Sequence, residues 1–369
     1  MGLHNDPIRI LASSVAVGSS GGITVLEGLG NALAGAEGVD VRIVVPAALQ
    51  TRLETAVPRA CLVPVGVNSR LARLQWEERE LPRLARRYRS NVLLGMTNTL
   101  PVSGSLGGAR GALLIQNIAP LLAEVRHMYR GAERARFEAL RVLTMRSVHR
   151  AAITFLFTRY GRDLVSGLAP KAHVVAIPPG GLPPIEDPLV PRAVGDHILV
   201  LADLYRYKGV EQVIRAMTDP RVRSMRLIVA GAPMEPSYAQ RLRDIATVEG
   251  VSDRVSFVGR VPRTKVIELL RTASCLVQPS HVESLALPML EALQLGVPVV
   301  STDIPVAREL CGDAALYFRF GDVRALVDCL LRSGSPTGGA VPLWEWRSTA
   351  EALLSELRAL PAFGAKPSK

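Results

Sequence analysis

Residues 277–303 read VQPSHVESLALPMLEALQLGVPVVSTD. The apolar strand that opens this stretch is broken at Pro279, and a short polar loop follows. Pro288 falls in the first turn of a helix, where proline is tolerated, and Gly296 is placed to end that helix. A second apolar strand, residues 297–301, follows at once. The stretch therefore predicts a strand–loop–helix–strand unit of an α/β sheet.

Two glutamates flank the start of this helix, Glu283 in the loop and Glu291 one turn into the helix. Unpaired N–H groups and the positive end of the helix dipole attract a phosphate to a helix start. Glu283 would repel a phosphate, so we expect its carboxylate to accept hydrogen bonds from sugar hydroxyls. Glu291 offers two acceptor oxygens to a ribose diol. A nucleotide-diphosphate sugar satisfies all three features; the alternative is two surface glutamates without a ligand.

The stretch resembles the donor-binding signature of the group 1 (family 4) retaining glycosyltransferases, P-S-x-x-E-G-F-G-L-P-x-x-E-A-x-x-x-G-x-P-V-V-x-S. The matching positions are Pro279, Ser280, Glu283, Leu287, Pro288, Glu291, Ala292, Gly296, Pro298, Val299 and Val300. The chain departs at Ser284, Leu285 and Ala286, where the family usually has G-F-G or S-F-G. The small side chains at 284 and 286 still permit close backbone approach. The resemblance implies that Ser284, Leu285, Ala286 and Leu287 contact the donor.

The resemblance also implies the GT-B fold, with two Rossmann-like domains whose parallel sheets face an interdomain cleft. Strand-like apolar runs alternate with helical segments on both sides of a proline-rich break, which independently predicts two parallel α/β sheets. We expect an acceptor-side domain over 1–180, a linker over 181–195 and a nucleotide-sugar-binding domain over 196–342. In GT-B enzymes a last helix, here within 343–369, often crosses back to the first domain.

Composition favours a globular protein of the cytoplasm. The chain has 369 residues, enough for two cores, and is 48% hydrophobic and 21% charged. It contains no apolar run of the roughly 18 residues that a membrane helix needs, and its start lacks the features of a signal peptide. The four cysteines are scattered without C-x-x-C spacing, which is typical of core thiols in a reducing compartment.

Positive charge is concentrated in the first half of the chain. Residues 1–195 carry 23 basic and 14 acidic side chains, whereas residues 196–369 carry 21 and 19. Seven arginines lie between Arg70 and Arg89, with leucines at roughly helical spacing. Such a basic amphipathic helix is suited to an anionic lipid surface. A plain surface helix is the alternative, and Pro82 favours two shorter pieces.

The segment that follows the first strand of the second domain, residues 201–209, reads LADLYRYKG. The family shows G-R-L-x-x-x-K-G here, and its lysine neutralises the donor diphosphate as the glycosidic bond breaks. Lys208 fits that position. Asp203 replaces the family arginine, and we expect Arg206 to compensate. Lys208, Arg206 and Glu283 are therefore the predicted catalytic residues.

Further donor contacts are expected where neighbouring strands end. Gly231, Arg260 and Val261 follow such strands, and ligands of open α/β sheets collect at the carboxyl ends. In the first domain, Gly21 and Gly22 follow the first strand and form either an anion cradle or a simple turn. The family has a similar glycine loop at the floor of its cleft, which favours a donor contact.

Gln116 and Asn117 end a strand in the place where many relatives carry a histidine. Both side chains donate and accept hydrogen bonds, so we expect at least one of them to contact the transferred sugar or the acceptor. A strand-end cap is the alternative. The six histidines lack metal-ligand spacing and no D-x-D occurs, so no metal is expected, nor any cofactor besides the nucleotide-sugar co-substrate.

Together with the residues above, the resemblance implies a metal-independent, retaining hexosyltransferase that transfers sugar to a glycan or lipid-linked acceptor in cell-envelope polysaccharide synthesis. The basic first half and the resemblance favour a lipid-linked acceptor, peripheral contact with the inner membrane face and mannose as one candidate sugar. A GT-B epimerase stays open, and it would turn over without an acceptor. A nucleic-acid binder also stays open, although the chain has 5% aromatic residues and no recognised binding module.

Overall fold

The computed structural model describes residues 7–67, 69–181, 195, 197–333 and 345–361. They divide into two compact units. The first unit comprises Met1–Leu121, Arg130–Gly180 and Glu345–Lys369, and the second comprises Leu122–Tyr129 and Gly181–Trp344. Most of the expected linker over 181–195 lies outside the described residues.

The chain up to residue 180 alternates strands and helices. In order these are β1 (Ile8–Ser13), α1 (Ser20–Ala34), β2 (Val39–Pro46), α2 (Gln50–Leu53), β3 (Leu62–Val65), α3 (Arg70–Arg87), β4 (Val92–Gly95), β5 (Arg110–Leu114), α4 (Ala123–His127), α5 (Gly131–Arg150), β6 (Ile153–Leu156), α6 (Arg159–Leu168) and β7 (Val174–Ala176). Of these, α4 alone clusters with the second unit.

The same alternation continues in the rest of the chain. The elements are β8 (His197–Leu201), α7 (Val210–Ala216), β9 (Arg226–Ala230), α8 (Pro236–Val248), β10 (Val255–Gly259), α9 (Arg263–Thr272), β11 (Ala273–Gln278), α10 (Leu287–Gln294), β12 (Val299–Thr302), α11 (Pro305–Cys311), β13 (Ala315–Phe318), α12 (Val323–Arg332) and α13 (Trp346–Ala359).

The sheet of the first unit has the order β3-β2-β1-β4-β5-β6-β7, and all its strand pairs are parallel. Every residue of β4 and β6 is buried, as expected for strands covered by helices on both faces. The chain order reverses between β1 and β4, which is the Rossmann arrangement. The glycine loop after β1 therefore leads into α1 at the position where such sheets bind ligands.

Helix α13 belongs to the first unit and packs on α1. The indole of Trp346 lies directly over Gly28, where an added Cβ would come within 2.2 Å of its Nε1. Phe157 meets the same ring edge-on, with 6.3 Å between centroids. A glycine in the middle of α1 thus makes room for the last helix.

Helix α3 continues through Pro82 as one element, contrary to the two pieces that the sequence favoured. Tertiary contacts hold the turn that proline weakens. The carboxylate of Glu78 accepts the backbone N–H groups of Val102 at 2.6 Å and Ser103 at 2.9 Å. No helix among the described residues is long and apolar enough to cross a membrane.

The sheet of the second unit has the order β10-β9-β8-β11-β12-β13, again parallel throughout. Helices α7, α8 and α12 bury its core, which includes Val200, Ile214 and Leu242. The strand order reverses between β8 and β11. The loops that leave these two strands carry Lys208 and Glu283, so the topology brings both residues to the ligand-binding edge.

Candidate functional site

The loop between β11 and α10 is buried and tightly turned. Val282, Leu285 and Leu287 are each 6% exposed, which anchors the loop in the unit. Ala286, the residue before α10, adopts φ +52° and ψ +49°. This left-handed conformation favours glycine and costs an L-residue about 1 kcal/mol. The glycine that the resemblance led us to expect at 286 therefore has a conformational reason, and alanine is tolerated there with strain.

Lys208 and Glu283 form an ion pair at the edge between β8 and β11. Lys208 Nζ lies 2.7 Å from Glu283 Oε1, and the two side chains are 16% and 7% exposed. The Gln278 amide donates a second hydrogen bond to the same oxygen, and it donates another to Ser280 Oγ at 2.9 Å. Among the described residues, nothing donates to Glu283 Oε2. One carboxylate oxygen is thus fixed, while the other can accept a hydrogen bond from a ligand.

The loops that carry this pair are locked to each other. Gly209 has φ +62°, and a Cβ there would lie 2.5 Å from the carbonyl oxygen of Pro279. Gln212 donates from Nε2 to that same oxygen at 2.7 Å, and its Oε1 accepts the Gly321 N–H at 2.9 Å. The chain following β8, β11 and β13 is therefore held as one block around Lys208.

Arg206 connects this block to the segment 122–129. Its backbone N–H donates to Glu235 Oε2 at 3.1 Å, and its Nη1 donates to the carbonyl oxygen of Met128 at 3.1 Å. The guanidinium carbon also lies 5.3 Å from the centroid of the Tyr129 ring. The Tyr129 hydroxyl completes the network by donating to Glu235 Oε1 at 2.7 Å. The expected role of Arg206 as a second leaving-group cation stays a prediction.

Asp203 and Arg260 meet at the ends of β8 and β10. Asp203 Oδ1 accepts the Ala232 N–H at 2.8 Å, and Oδ2 lies 3.9 Å from Arg260 Nη2. Gly231 follows β9, which lies between these strands, and a Cβ there would come within 1.9 Å of the Ala202 carbonyl oxygen. The three strand ends thus place an anchored carboxylate beside a half-exposed guanidinium, with Val261 next in the chain.

Glu291 lies inside the unit, 3% exposed, and pairs with Arg263 Nη2 at 2.7 Å. Burial raises the pKa of this carboxyl group, and the charge and hydrogen bond of Arg263 oppose that rise. Sequence reasoning did not single out Arg263. It lies three residues after Arg260, at the start of α9, and nothing in the spacing along the chain signals its contact with Glu291.

In the first unit, the glycine loop and the end of β5 come together. Ser19 Oγ accepts the Gly22 N–H at 3.1 Å and caps α1, while Gly21 has open space around it. A Cβ on Gly22 would lie 3.6 Å from Gln116 Oε1. Asn117 Oδ1 accepts the Ala119 N–H at 2.9 Å, the kind of local cap that was the alternative to a ligand contact.

The predicted residues therefore form separate sets within each unit. In the second unit, Lys208 pairs with Glu283, and Arg260 approaches Asp203. Glu291 has Arg263 as its partner. Within the described residues, no group of three or more histidine, cysteine, aspartate or glutamate side chains could hold a metal ion.

Residues 194–332 match the family model described as "Glycosyl transferases group 1". A D-inositol 3-phosphate glycosyltransferase of Acidothermus cellulolyticus is 32% identical over 36% of this chain and 30% of its own length. The lipopolysaccharide core biosynthesis mannosyltransferase LpsB of Rhizobium meliloti is 33% identical over 27% of this chain and 30% of its own length. The matched stretches thus span about a third of these relatives.

Solved structures resemble the whole chain at low identity. Sucrose-phosphate synthase from Thermosynechococcus elongatus has a TM-score of 0.74 and 16% identity, covering 95% of this chain and 98% of its own. Anabaena HepE, solved with UDP-glucose, has a TM-score of 0.73 and 16% identity, covering 95% of this chain and 100% of its own. The expected GT-B type of two Rossmann-like units is confirmed. The expected relationship to group 1 is confirmed over residues 194–332.

Proposed function

Residues 194–332 belong to the group 1 glycosyltransferases, and from that premise we propose that this protein is a retaining glycosyltransferase. It transfers a hexose from a nucleotide-diphosphate sugar to a glycan or lipid-linked acceptor. The observation that carries the proposal is the Lys208–Glu283 pair, at 2.7 Å, where the strand order of the second sheet reverses.

Lys208 supports the departure of the nucleoside diphosphate. An ammonium group has three donors, and Glu283 uses one of them in this structure, so two remain for diphosphate oxygens. The start of α10, at the positive end of the helix dipole, favours the same negative charge. Charge stabilisation of this kind acts where charge develops, and one donor of this type typically contributes about 10²–10³-fold in kcat. The reaction then needs no metal ion and no cofactor besides the co-substrate.

Glu283 and Glu291 orient the donor. The fixed Oε1 of Glu283 holds the carboxylate in place, and Oε2 accepts from hydroxyls of the transferred sugar. Glu291 accepts from the ribose. The backbone of Ser284, Leu285, Ala286 and Leu287 lies between the two carboxylates in the chain and contributes further contacts to the donor.

Arg260 supplies a further cation for the diphosphate, in addition to Lys208 and the predicted Arg206. Its side chain is 37% exposed, and Asp203 Oδ2 lies 3.9 Å from its Nη2. Arg206 lies two residues before Lys208 and fixes the same loop through Glu235 and Met128. We assign donor contacts also to Gly231 and Val261, and in the first unit to Gly21 and Gly22. Gln116, which faces Gly22, and Asn117 are assigned to the acceptor side.

The named relatives support the substrate class. One is a D-inositol 3-phosphate glycosyltransferase, another is a mannosyltransferase of lipopolysaccharide core synthesis, and HepE was solved with UDP-glucose. We accordingly place this protein in cell-envelope glycan synthesis, with mannose as the first sugar to test.

Helix α3 supports a peripheral membrane contact at the cytoplasmic face. Leu71 is 67% exposed at its start, and Arg79, Arg86 and Arg87 are exposed further along. Each arginine near an anionic surface contributes about 1 kcal/mol. Leu71→Glu should weaken sedimentation with phosphatidylglycerol vesicles, and pure phosphatidylcholine vesicles are the control. Unchanged sedimentation of this variant would exclude α3 as the contact.

The function is tested by measuring thermal stabilisation of the full chain with a panel of uridine, guanosine and adenosine diphosphate sugars. The best donor is then incubated with and without lipid-linked and free glycan acceptors while release of nucleoside diphosphate is followed. We expect acceptor-dependent release with retention at the anomeric carbon. Conversion of the donor without any acceptor would instead favour an epimerase. If no nucleotide sugar stabilises the protein, the proposed function is wrong.

A further inference from the structure

Arg263 is the first residue of α9, and its guanidinium reaches the next helix to meet Glu291 on α10 at 2.7 Å. The carboxylate is 3% exposed, whereas the guanidinium side chain remains 31% exposed. Among the described residues, Arg263 is the only side chain that donates to this carboxylate. Oε1 is engaged, and Oε2 is left as an acceptor.

A carboxylate this deeply buried is costly to keep charged without a cation. Isolated in an apolar interior, it takes up a proton instead. Besides Arg263, the titratable groups on the helices and strands around α10 are Cys275 on β11, Arg308, Glu309 and Cys311 on α11, and Lys265, Glu268 and Arg271 on α9. Only Arg263 contributes an opposite charge to the pKa of Glu291, which burial raises.

The protonation state decides what Glu291 can bind. An ionised carboxylate only accepts hydrogen bonds, so it can take one from each hydroxyl of a vicinal diol. A neutral carboxyl group turns one oxygen into a donor, so the two hydroxyls can no longer both donate to it, and its hydrogen bonds lose the strength that the negative charge gives them. The charge on Glu291 therefore determines how strongly the second ribose hydroxyl is recognised.

We propose that Arg263 is a positioning residue that keeps Glu291 ionised and aligned, and that it thereby makes the donor site select ribonucleotides over 2′-deoxyribonucleotides. The inference rests on the proposed function, because it assumes that the nucleotide ribose reaches Glu291. It goes beyond that function by assigning the choice between ribose and 2′-deoxyribose in the nucleotide to Arg263, a residue outside the family signature.

The test measures the affinities of the full chain for UDP, GDP and ADP, and for their 2′-deoxy counterparts, by calorimetry at pH 6, 7 and 8. A hydrogen bond to a charged group corresponds to a preference of about 10–100-fold for the ribonucleotide in the wild type. Arg263→Met should reduce this preference to about 3-fold or less, close to that of Glu291→Gln. Arg263→Lys retains the positive charge and should retain most of the preference.

In Arg263→Met, the affinity for the ribonucleotide should also depend on pH between 6 and 8. In the wild type this dependence should be shifted to lower pH. Without the guanidinium the pKa of Glu291 rises further, so the affinity for the ribonucleotide increases as pH rises from 6 to 8. Arg308→Ala is the matched control, because it removes an ion pair of the same length to Asp303 on the surface of the same unit. It should leave both the preference and its pH profile unchanged, and thermal unfolding confirms that each variant is folded.

The outcomes separate the inference from its premise. If the wild type prefers the ribonucleotide and Arg263→Met prefers it equally at every pH, the role of Arg263 is refuted. If the wild type binds diphosphates without discriminating the 2′ position, both Glu291 as the ribose acceptor and the inference fail. If no nucleoside diphosphate binds the wild type, the proposed function falls and the inference falls with it.

Discussion

Replacing Lys208 by methionine removes the ammonium group while keeping most of the volume of the side chain. In the structure this group lies 2.7 Å from Glu283, which is 7% exposed. The change therefore has two separable consequences. It leaves a buried carboxylate without its cation, and it removes a positive charge from the place where the diphosphate leaves.

The stability loss follows from the burial of the pair. Removing one partner of a buried ion pair typically costs about 3–5 kcal/mol. Gln278 still donates to the remaining carboxylate, and Lys208 is 16% exposed, so we expect the lower end, about 3 kcal/mol. The catalytic loss is of similar size, because removing one charge-stabilising donor reduces kcat about 10²–10³-fold.

A second substitution distinguishes the two effects. In Lys208→Met combined with Glu283→Gln, no uncompensated charge remains. We therefore expect the free energy of unfolding, measured by urea denaturation, to return to within about 1 kcal/mol of the wild-type value. Release of nucleoside diphosphate from the identified donor should stay at least about 100-fold below the wild type. The control is Lys265→Met, which removes a surface pair with Glu268 and should change stability by less than about 0.5 kcal/mol.

Turnover by Lys208→Met within about threefold of the wild type would refute the assigned role of Lys208, since a lost transition-state charge contact costs far more. Recovery of turnover in the double variant would refute it in another way. It would show that the single variant was inactive because Glu283 was unbalanced, and not because the diphosphate had lost its cation.

Three further outcomes are expected. Arg260→Ala should weaken nucleoside diphosphate binding about 10-fold but leave monophosphate binding nearly unchanged in calorimetry; equal losses for both ligands would contradict a diphosphate contact. Tyr129→Phe strips a hydroxyl from the buried Glu235 and should lower the free energy of unfolding by about 1–3 kcal/mol in urea; an unchanged midpoint would contradict this. Burial raises the pKa of Glu77 to about 7 from 4.5, and Arg73 opposes the rise. The folded state therefore binds the proton more tightly than the unfolded state does. The free energy of unfolding is highest below about pH 4.5 and falls by about 3 kcal/mol as the pH rises through 7. Urea midpoints of Glu77→Gln should lack this loss, and a loss as large as in the wild type would assign the titration to another group.

The strand–loop–helix–strand unit could be predicted because its signals are local. Proline at the start of the helix and glycine after it mark α10, and the structure places that helix at Leu287–Gln294 with Gly296 at φ +67°. The flanking apolar runs become β11 and β12, which lie side by side. Helix propensity, proline geometry and glycine freedom act within a few residues, so a single sequence records them.

The pairings between side chains could not be predicted, because they depend on which strands become neighbours. Arg206 and Met128 are 78 positions apart, yet they share a hydrogen bond in the second unit. Arg263 reaches Glu291 from a different loop and helix. Proline gave a misleading signal in α3 for the same reason. Its local cost at Pro82 is outweighed by contacts, such as those of Glu78, that no spacing along the chain reveals.

Asp203 shows how a departure from a family pattern is explained by the fold. Read alone, an acidic residue in place of arginine suggests a weakened site for a diphosphate. In the sheet, β8, β9 and β10 lie side by side, so Asp203, two residues after β8, lies near the loop after β10, which carries Arg260. The carboxylate accepts the Ala232 N–H at 2.8 Å, and its other oxygen lies 3.9 Å from the guanidinium. On our proposal the cation is therefore supplied from a neighbouring strand end, where a parallel sheet lets one loop substitute for another.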